Sequence, residues 1–231
     1  MQTTIDTFND RVKEINLYYE AVSELYSQRC IEETTHKFYD DDFLKILKSN
    51  ALLMIYNLVE SSIMGGILSI YNELQHQQIS YCNVRSELQN IWFTYKFNQV
   101  YDKNAHYNSY RDKAAEIITD ILENKILKLD RKATDISGNL DADKIRQICK
   151  EHGIIVSIPN NCRGGLVLND VMEKRNNLAH GTVSFVECGR EYSIEDLTKI
   201  KEETTIFLNA ILNAMKNYYD SKLYLMANTT K

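Results

Sequence analysis

The string Arg175-Asn176-Asn177-Leu178-Ala179-His180-Gly181 gathers a guanidinium, two amides and an imidazole on the last turns of one expected helix. Asn176 and His180 are four apart and share a helical face. Arg175 starts one position off that face, but its long stem can swing the guanidinium to the same place. Gly181 lets the chain leave the helix abruptly, which keeps the imidazole near an open edge. Cutting RNA without a metal needs a group that takes the ribose 2′-OH proton, a group that protonates the leaving 5′-oxygen, and positive charge on the phosphorane between them. Histidine titrates near neutrality and can fill either proton role, and arginine offers a fixed fork for phosphate oxygens. The bare Arg-x4-His spacing is equally what a dipole-stabilised histidine at a helix C-terminus would show, beside an arginine paired with Glu173 or a neighbouring helix.

Other side chains could support such a site. Glu60 stands in an otherwise apolar helix, where a carboxylate could pair with Arg175, orient His180, or make an ordinary salt bridge. Arg163 and Lys174, with the cationic stretch Lys125, Lys128, Arg131 and Lys132, could offer phosphate contacts; the latter four also suit a helix C-terminus complemented by cations. Trp92, Phe93, Tyr95, Phe97, Tyr101, Tyr107 and Tyr110 could stack on bases or serve as core and helix-packing surface. Cys149, His152, Cys162 and Cys188 match no zinc-finger spacing and are as easily apolar fillers. The sequence has no GxxxxGK[ST] loop, no GxGxxG after a strand, no HExxH and no GxSxG, so no cofactor and no metal are expected. Histidines 36, 76 and 106 have no catalytic neighbours in sequence.

The elements that must hold these groups are helical. One proline and eight glycines in 231 residues are few breakers for a chain this long. Only Gly65 and Gly66 fall in the first 137 residues; the other glycines and Pro159 lie between 138 and 189. Ile5, Phe8, Val12, Ile15, Tyr19, Val22 and Tyr26 recur at three- and four-residue steps, the stripe of a long core-facing helix. A second long helix is expected from about Asp42 to Leu74, after the acidic run Asp40, Asp41 and Asp42. Gly65 and Gly66 would either kink it or admit a close neighbour. Further helices are expected within Ile79 to Tyr110, from about Arg111 to Leu129, and from Ala142 to His152. The last of these would have an Asp141 cap, a Leu140–Ile145 staple and a Gly153 stop. The Arg175 helix should run from Leu166 to His180. TVSFVECGREY reads as a small hairpin turning at Gly189, and Ser193 with Asp196 caps a final helix carrying Leu197, Ile200, Phe207, Ile211, Met215, Tyr218 and Leu225 on one stripe.

The composition narrows the setting. Hydrophobic residues make up 44%, enough for a sizeable core in one domain spanning 1–231. Lys and Arg number 27 against 32 Asp and Glu, a formal net charge of -5 and a sequence pI near 5.6. That sign does not suit a general coat for nucleic acid or an anionic membrane, so any RNA must meet a local patch. Five cysteines without a CxxC pair suggest a reduced, cytoplasmic setting. The start MQTTIDTFND lacks an apolar signal core, and the apolar run Ala51–Tyr56 is far shorter than a membrane span, so no membrane association is expected.

RNNLAHG on a late helix, followed by a Gly-Arg turn and another long helix, resembles the HEPN superfamily of helical nucleases and nucleic-acid-associated proteins. The likeness extends through LLMIYNLVESSI, GNLDADKIRQICKEHG and ECGREYSIEDL, and is closest to the branch found with restriction and RNA-targeting conflict systems. It implies an all-α bundle of long antiparallel helices with a short irregular or hairpin insertion near 183–192. It further implies a homodimer that joins two Arg-x4-His helices in one cleft, and metal-independent endoribonuclease activity leaving 2′,3′-cyclic phosphate ends. Arg175 and His180 match the family's catalytic pair, and Asn176 matches the polar residue that often follows the arginine, with Asn177, Glu60, Lys174 and Arg163 in support. A toxin-type or defence setting with an antitoxin or other partner protein goes with that branch. The alternative is a non-catalytic dimeric HEPN module that binds a partner protein or RNA.

Overall fold

The computed structural model describes residues 1–31, 41–99, 107–134, 136 and 138–226. Asp40, His36, His106 and Tyr101 lie outside the described residues, as does the side chain of Tyr107. Among the described residues the chain forms eight α-helices: α1 (Gln2–Ile31), α2 (Asp41–His76), α3 (Ser86–Asn98), α4 (Tyr107–Leu122), α5 (Ala142–Glu151), α6 (Val167–Ala179), α7 (Phe185–Arg190) and α8 (Ile194–Asp220). The extended contacts among them are two isolated antiparallel bridges, Ser80–Ile126 and Val84–Leu225. The all-α expectation holds.

Helix α2 is the axis of the array. α1, α6, α7 and α8 all pack on it, and its buried residues, from Leu44 to Leu74, occupy more than half of the helix circumference, while Asn57 and Asn72 on the remaining arc are exposed. By length and composition α2 could cross a membrane, yet 56% of its most apolar eighteen-residue stretch is buried inside the protein. The short run Ala51–Tyr56 understates the helix: apolar residues continue along most of its length because neighbours cover it from several sides. α1 runs antiparallel to α2, with Tyr18 Oη donating to Leu47 O at 2.7 Å and Thr4 Oγ1 to Gly65 O at 3.2 Å. α8 runs parallel to α2: Lys48 Nζ reaches Tyr192 O before α8 begins, and Tyr219 Oη donates to Glu73 at its far end. The paired glycines serve close approach. A Cβ on Gly65 would stand 3.0 Å from Thr4 Cγ2 of α1, and one on Gly66 would stand 2.3 Å from Met215 Sδ of α8.

Between Thr182 and Ser193 the expected hairpin is instead the short helix α7, and the overlooked signal is a capping box. Ser184 Oγ accepts from Glu187 N at 3.1 Å, and Glu187 Oε2 accepts from Ser184 N at 2.9 Å. Gly189 is no turn residue. Its missing side chain lets α7 cross α2, because a Cβ there would sit 1.9 Å from the carbonyl oxygen of Lys45. Ser49 Oγ donates to Phe185 O at 2.6 Å across the same crossing.

Sequence periodicity placed the other elements within a few residues, apart from three boundaries. α8 ends at Asp220, so Leu225 is not on its stripe but in the bridge to Val84. α3 starts at Ser86, since Tyr81–Asn83 is a 3-10 turn held between the two bridges. α4 stops at Leu122, not near Leu129, because Asn124 adopts a left-handed φ of 51°. Asn124 N bonds Ile121 O, and Lys125 N bonds Asp120 O, the pairing that closes a helix end. Asp141 caps α5 through Lys144 N at 2.7 Å, and Ser193 with Asp196 forms the expected capping box on α8.

His152, 0% exposed, knots three helices. Its Nδ1 faces Ile148 O at 2.7 Å and its Nε2 faces Tyr71 Oη of α2 at 2.7 Å. With Nδ1 protonated, Tyr71 donates to Nε2 and Thr134 Oγ1 in turn bonds the phenol oxygen. The His152 carbonyl accepts from Tyr218 Oη of α8 at 2.8 Å. Burial lowers the imidazole pKa from 6.5 to about 4.

Two outcomes follow from this packing. Gly189→Ala should lower the thermal midpoint by about 5 °C or more, since overpacking a rigid backbone contact costs on the order of 1–3 kcal/mol; a calorimetric scan measures it. Because His152 binds a proton more readily unfolded than folded, stability should fall as pH drops from about 6.5 toward about 4, by up to roughly 3 kcal/mol. Urea titrations across that window should show the loss, and His152→Asn should flatten it.

Candidate functional site

The Arg175 helix is set in place by the loop before it. Arg163, Gly164 and Gly165 all take left-handed φ values, 45°, 64° and 82°. Gly165 could carry no side chain, since a Cβ would lie 2.7 Å from the Phe207 ring. Arg163 Nε donates to both carboxylate oxygens of Glu203 at 3.0 Å, and Arg146 donates to Gly164 O. From this anchored start α6 buries Val167, Leu168, Val171 and Leu178. Its end follows the expected pattern: Gly181, at φ 68°, bonds Leu178 O, and Thr182 N bonds Asn177 O. That leaves His180 as the exposed C-cap residue.

Arg175 is held by neutral groups. Its Nη1 donates to Gly138 O at 3.1 Å and to Asn176 Oδ1 at 3.0 Å, and its Cζ lies 4.7 Å from the centre of the Tyr56 ring, within cation–π range. Asn176 Nδ2 donates to Asn139 Oδ1 at 2.7 Å, and Leu140 N donates to Tyr56 Oη at 3.2 Å. The segment 138–140 and α2 thus form a seat for the end of α6. Burial raises the Tyr56 phenol pKa, against the Leu140 hydrogen bond and the Arg175 charge, which lower it; the Glu60 charge raises it further. Among the described residues no carboxylate pairs with Arg175, and its Nε and Nη2 make no hydrogen bond.

The structure therefore brings Arg175 and Asn176 into contact. It places His180 on the next turn, five residues on or about 7.5 Å along the axis, with its imidazole free of hydrogen bonds to described residues. Asn177 is half-buried and takes part through its backbone carbonyl. A guanidinium with donors to spare can hold an anionic oxygen, and an open imidazole can move a proton.

The supporting residues fall elsewhere. Glu60 is not bonded to Arg175; its carboxylate is 3.8 Å from Arg131 Nη2, because Glu60 lies one turn beyond Tyr56 toward the groove between α1 and α2. Arg163 is paired with Glu203 and Lys174 with Glu191 at 2.6 Å. Lys125 is drawn to Asp120 and Glu123. The four zinc candidates do not converge: both His152 nitrogens are hydrogen-bonded, Cys162 Sγ faces Pro159 O, and burial pushes the Cys149 thiol up to about 12. Among the described residues no three His, Cys, Asp or Glu side chains are grouped to hold a metal ion. Trp92 is buried against Tyr81, while Phe93 is 44% exposed and stacks on Phe97.

Sequence reasoning missed Tyr56, Gly138 and Asn139. Gly138 marked only the loss of helix, and Tyr56 looked like one more apolar position in LLMIYN. The signal for Gly138 is steric: a Cβ there would lie 2.6 Å from Arg175 Nη1.

A family model described as HEPN_MAE_28990-like HEPN matches residues 1–224. No curated protein and no solved structure matches the chain. The matched span runs from the start of α1 past the end of α8 and includes the whole seat of Arg175. On that match and its all-helical array, the chain belongs to the HEPN family.

Proposed function

We propose that the chain is a metal-independent endoribonuclease acting through Arg175 and His180. The observation that carries this reading is the arginine held without a carboxylate, spare donors outward, one turn before an exposed histidine. In the reaction His180 takes the 2′-OH proton, the 2′-oxygen attacks the adjacent phosphorus, and the bond from phosphorus to the 5′-oxygen breaks. The 5′-oxygen leaves with a proton from a second acid, and the product ends in a 2′,3′-cyclic phosphate. Arg175 stabilises the charge on the phosphorane, and Asn176 orients the guanidinium. One chain supplies one histidine of this kind, so a homodimer that faces two α6 ends would supply both acid and base. A defence or toxin-type role, with an antitoxin or other partner protein restraining the cut, goes with this chemistry.

Purified wild type should cleave total RNA or tRNA in EDTA and leave cyclic phosphate ends. Arg175→Ala and His180→Ala should each lose about 10²-fold or more in rate with unchanged melting. Persisting cleavage by His180→Ala would overturn the assignment, and RNA bound but uncut by wild type would favour the non-catalytic binding module. Gly138→Ala tests the seat: it should shift the guanidinium and reduce cleavage, while its thermal midpoint stays close to that of wild type.

A further inference from the structure

One carboxylate singled out in the sequence has no place in the Arg175 seat. Glu60 lies on the wall of a groove of about 750 Å³ between α1 and α2, a volume suited to a small ligand. Its side chain is 25% exposed, and its one ion-pair contact among the described residues, Arg131 at 3.8 Å, is beyond hydrogen-bonding distance. Among the described residues it accepts no hydrogen bond, so a partly desolvated acceptor waits for donors. The arginines of the groove are loosely held. Arg131 is 66% exposed, and Arg11 makes one long bond, 3.4 Å, to Asn57 O. Met54 and Met64 supply flexible apolar surface. Asp10 at the rim is already met by Lys13 at 2.8 Å.

We propose that this groove is a guanine-nucleotide subsite in which Glu60 reads the Watson–Crick edge of the base. Guanine presents two adjacent donors there, N1–H and the N2 amine, which match the two oxygens of an ionised carboxylate. Adenine, cytosine and uracil each turn at least one acceptor toward it and are repelled. The methionines pack on the base, and Arg11 and Arg131 take its phosphate. Glu60 follows Tyr56, whose ring carries Arg175, by four residues on α2, a rise of about 6 Å along the helix axis. A base bound there belongs to a nucleotide next to the phosphate at Arg175. Only this last link rests on the ribonuclease reading; the recognition of guanine does not.

The first measurement is calorimetric titration of the wild-type chain with GMP, AMP, CMP and UMP, none of which has a phosphodiester to cut. GMP should bind about tenfold or more tighter than the others, the discrimination expected of a bidentate pair. Glu60→Gln should erase that preference, and Arg11→Ala should weaken all four nucleotides alike. Equal binding of the four, no binding at millimolar nucleotide, or a GMP preference that survives Glu60→Gln would each overturn the proposal. The second measurement maps wild-type and Glu60→Gln cuts on an RNA containing every dinucleotide step. Cuts concentrated beside guanine in wild type alone identify the ligand as a residue of the substrate, and even cutting with selective GMP binding identifies a free guanine nucleotide. Selective GMP binding with no cutting keeps the subsite and removes the ribonuclease reading.

Discussion

Helix α2 is apolar over more than half of its circumference, and much of the chain is arranged to cover it. So broad an apolar surface is stable in water only when several neighbours cover it, and its burial is the dominant favourable term the helix contributes. α1 covers one side antiparallel and α8 another side parallel, and α7 crosses near its beginning. Each approach is close at a residue without a side chain: Gly65 faces Thr4, Gly66 faces Met215, and Gly189 is required by the Lys45 backbone. The glycines that look like breaks in a helical sequence are therefore points of contact. Because packed interiors tolerate little excess volume, these contacts also fix how far each helix can slide along α2.

The candidate site inherits its precision from that arrangement. α6 packs on α2, and Tyr56, one turn before Glu60, sits under the Arg175 guanidinium. The same phenol accepts from Leu140 N, so the core helix, the connecting segment and the α6 end are tied through one side chain. A carboxylate in that position would neutralise the arginine. A ring face, a carbonyl and an amide hold it in place and leave its charge available, which is the condition for meeting a phosphate.

The same distinction sorts the cations in an acidic protein. Arg163, Lys174 and Lys125 are matched with Glu203, Glu191 and Asp120, and their task is to pin loops and helix ends. Arg175, Arg11 and Arg131 keep donors to spare, and all three lie close to α2. Net negative charge is thus compatible with a local anion site, because compensation is pairwise and leaves these arginines with donors unmet.

Much was legible in the sequence because it rests on local rules. The α1 and α8 stripes, the caps at Asp141 and Ser193, the stops at Gly153 and Gly181, and the placing of Arg175, Asn176 and His180 on the end of one helix all depend on neighbours a few residues away. Where reading failed, a distant partner decided. Gly189 looked like a turn because its reason, the Lys45 carbonyl, is 144 residues back in the chain. Glu60 looked like a partner for Arg175, but the helical turn between it and Tyr56 carries it to the groove at Arg131. Arg163 and Lys174 looked free until Glu203 and Glu191 were brought beside them. An all-helical chain and the residue types at the end of α6 are readable from local sequence, since periodicity, capping and spacing are encoded within a few turns. Which charges are met and which remain open is settled by the packing, because pairing depends on the approach of helices far apart in the chain.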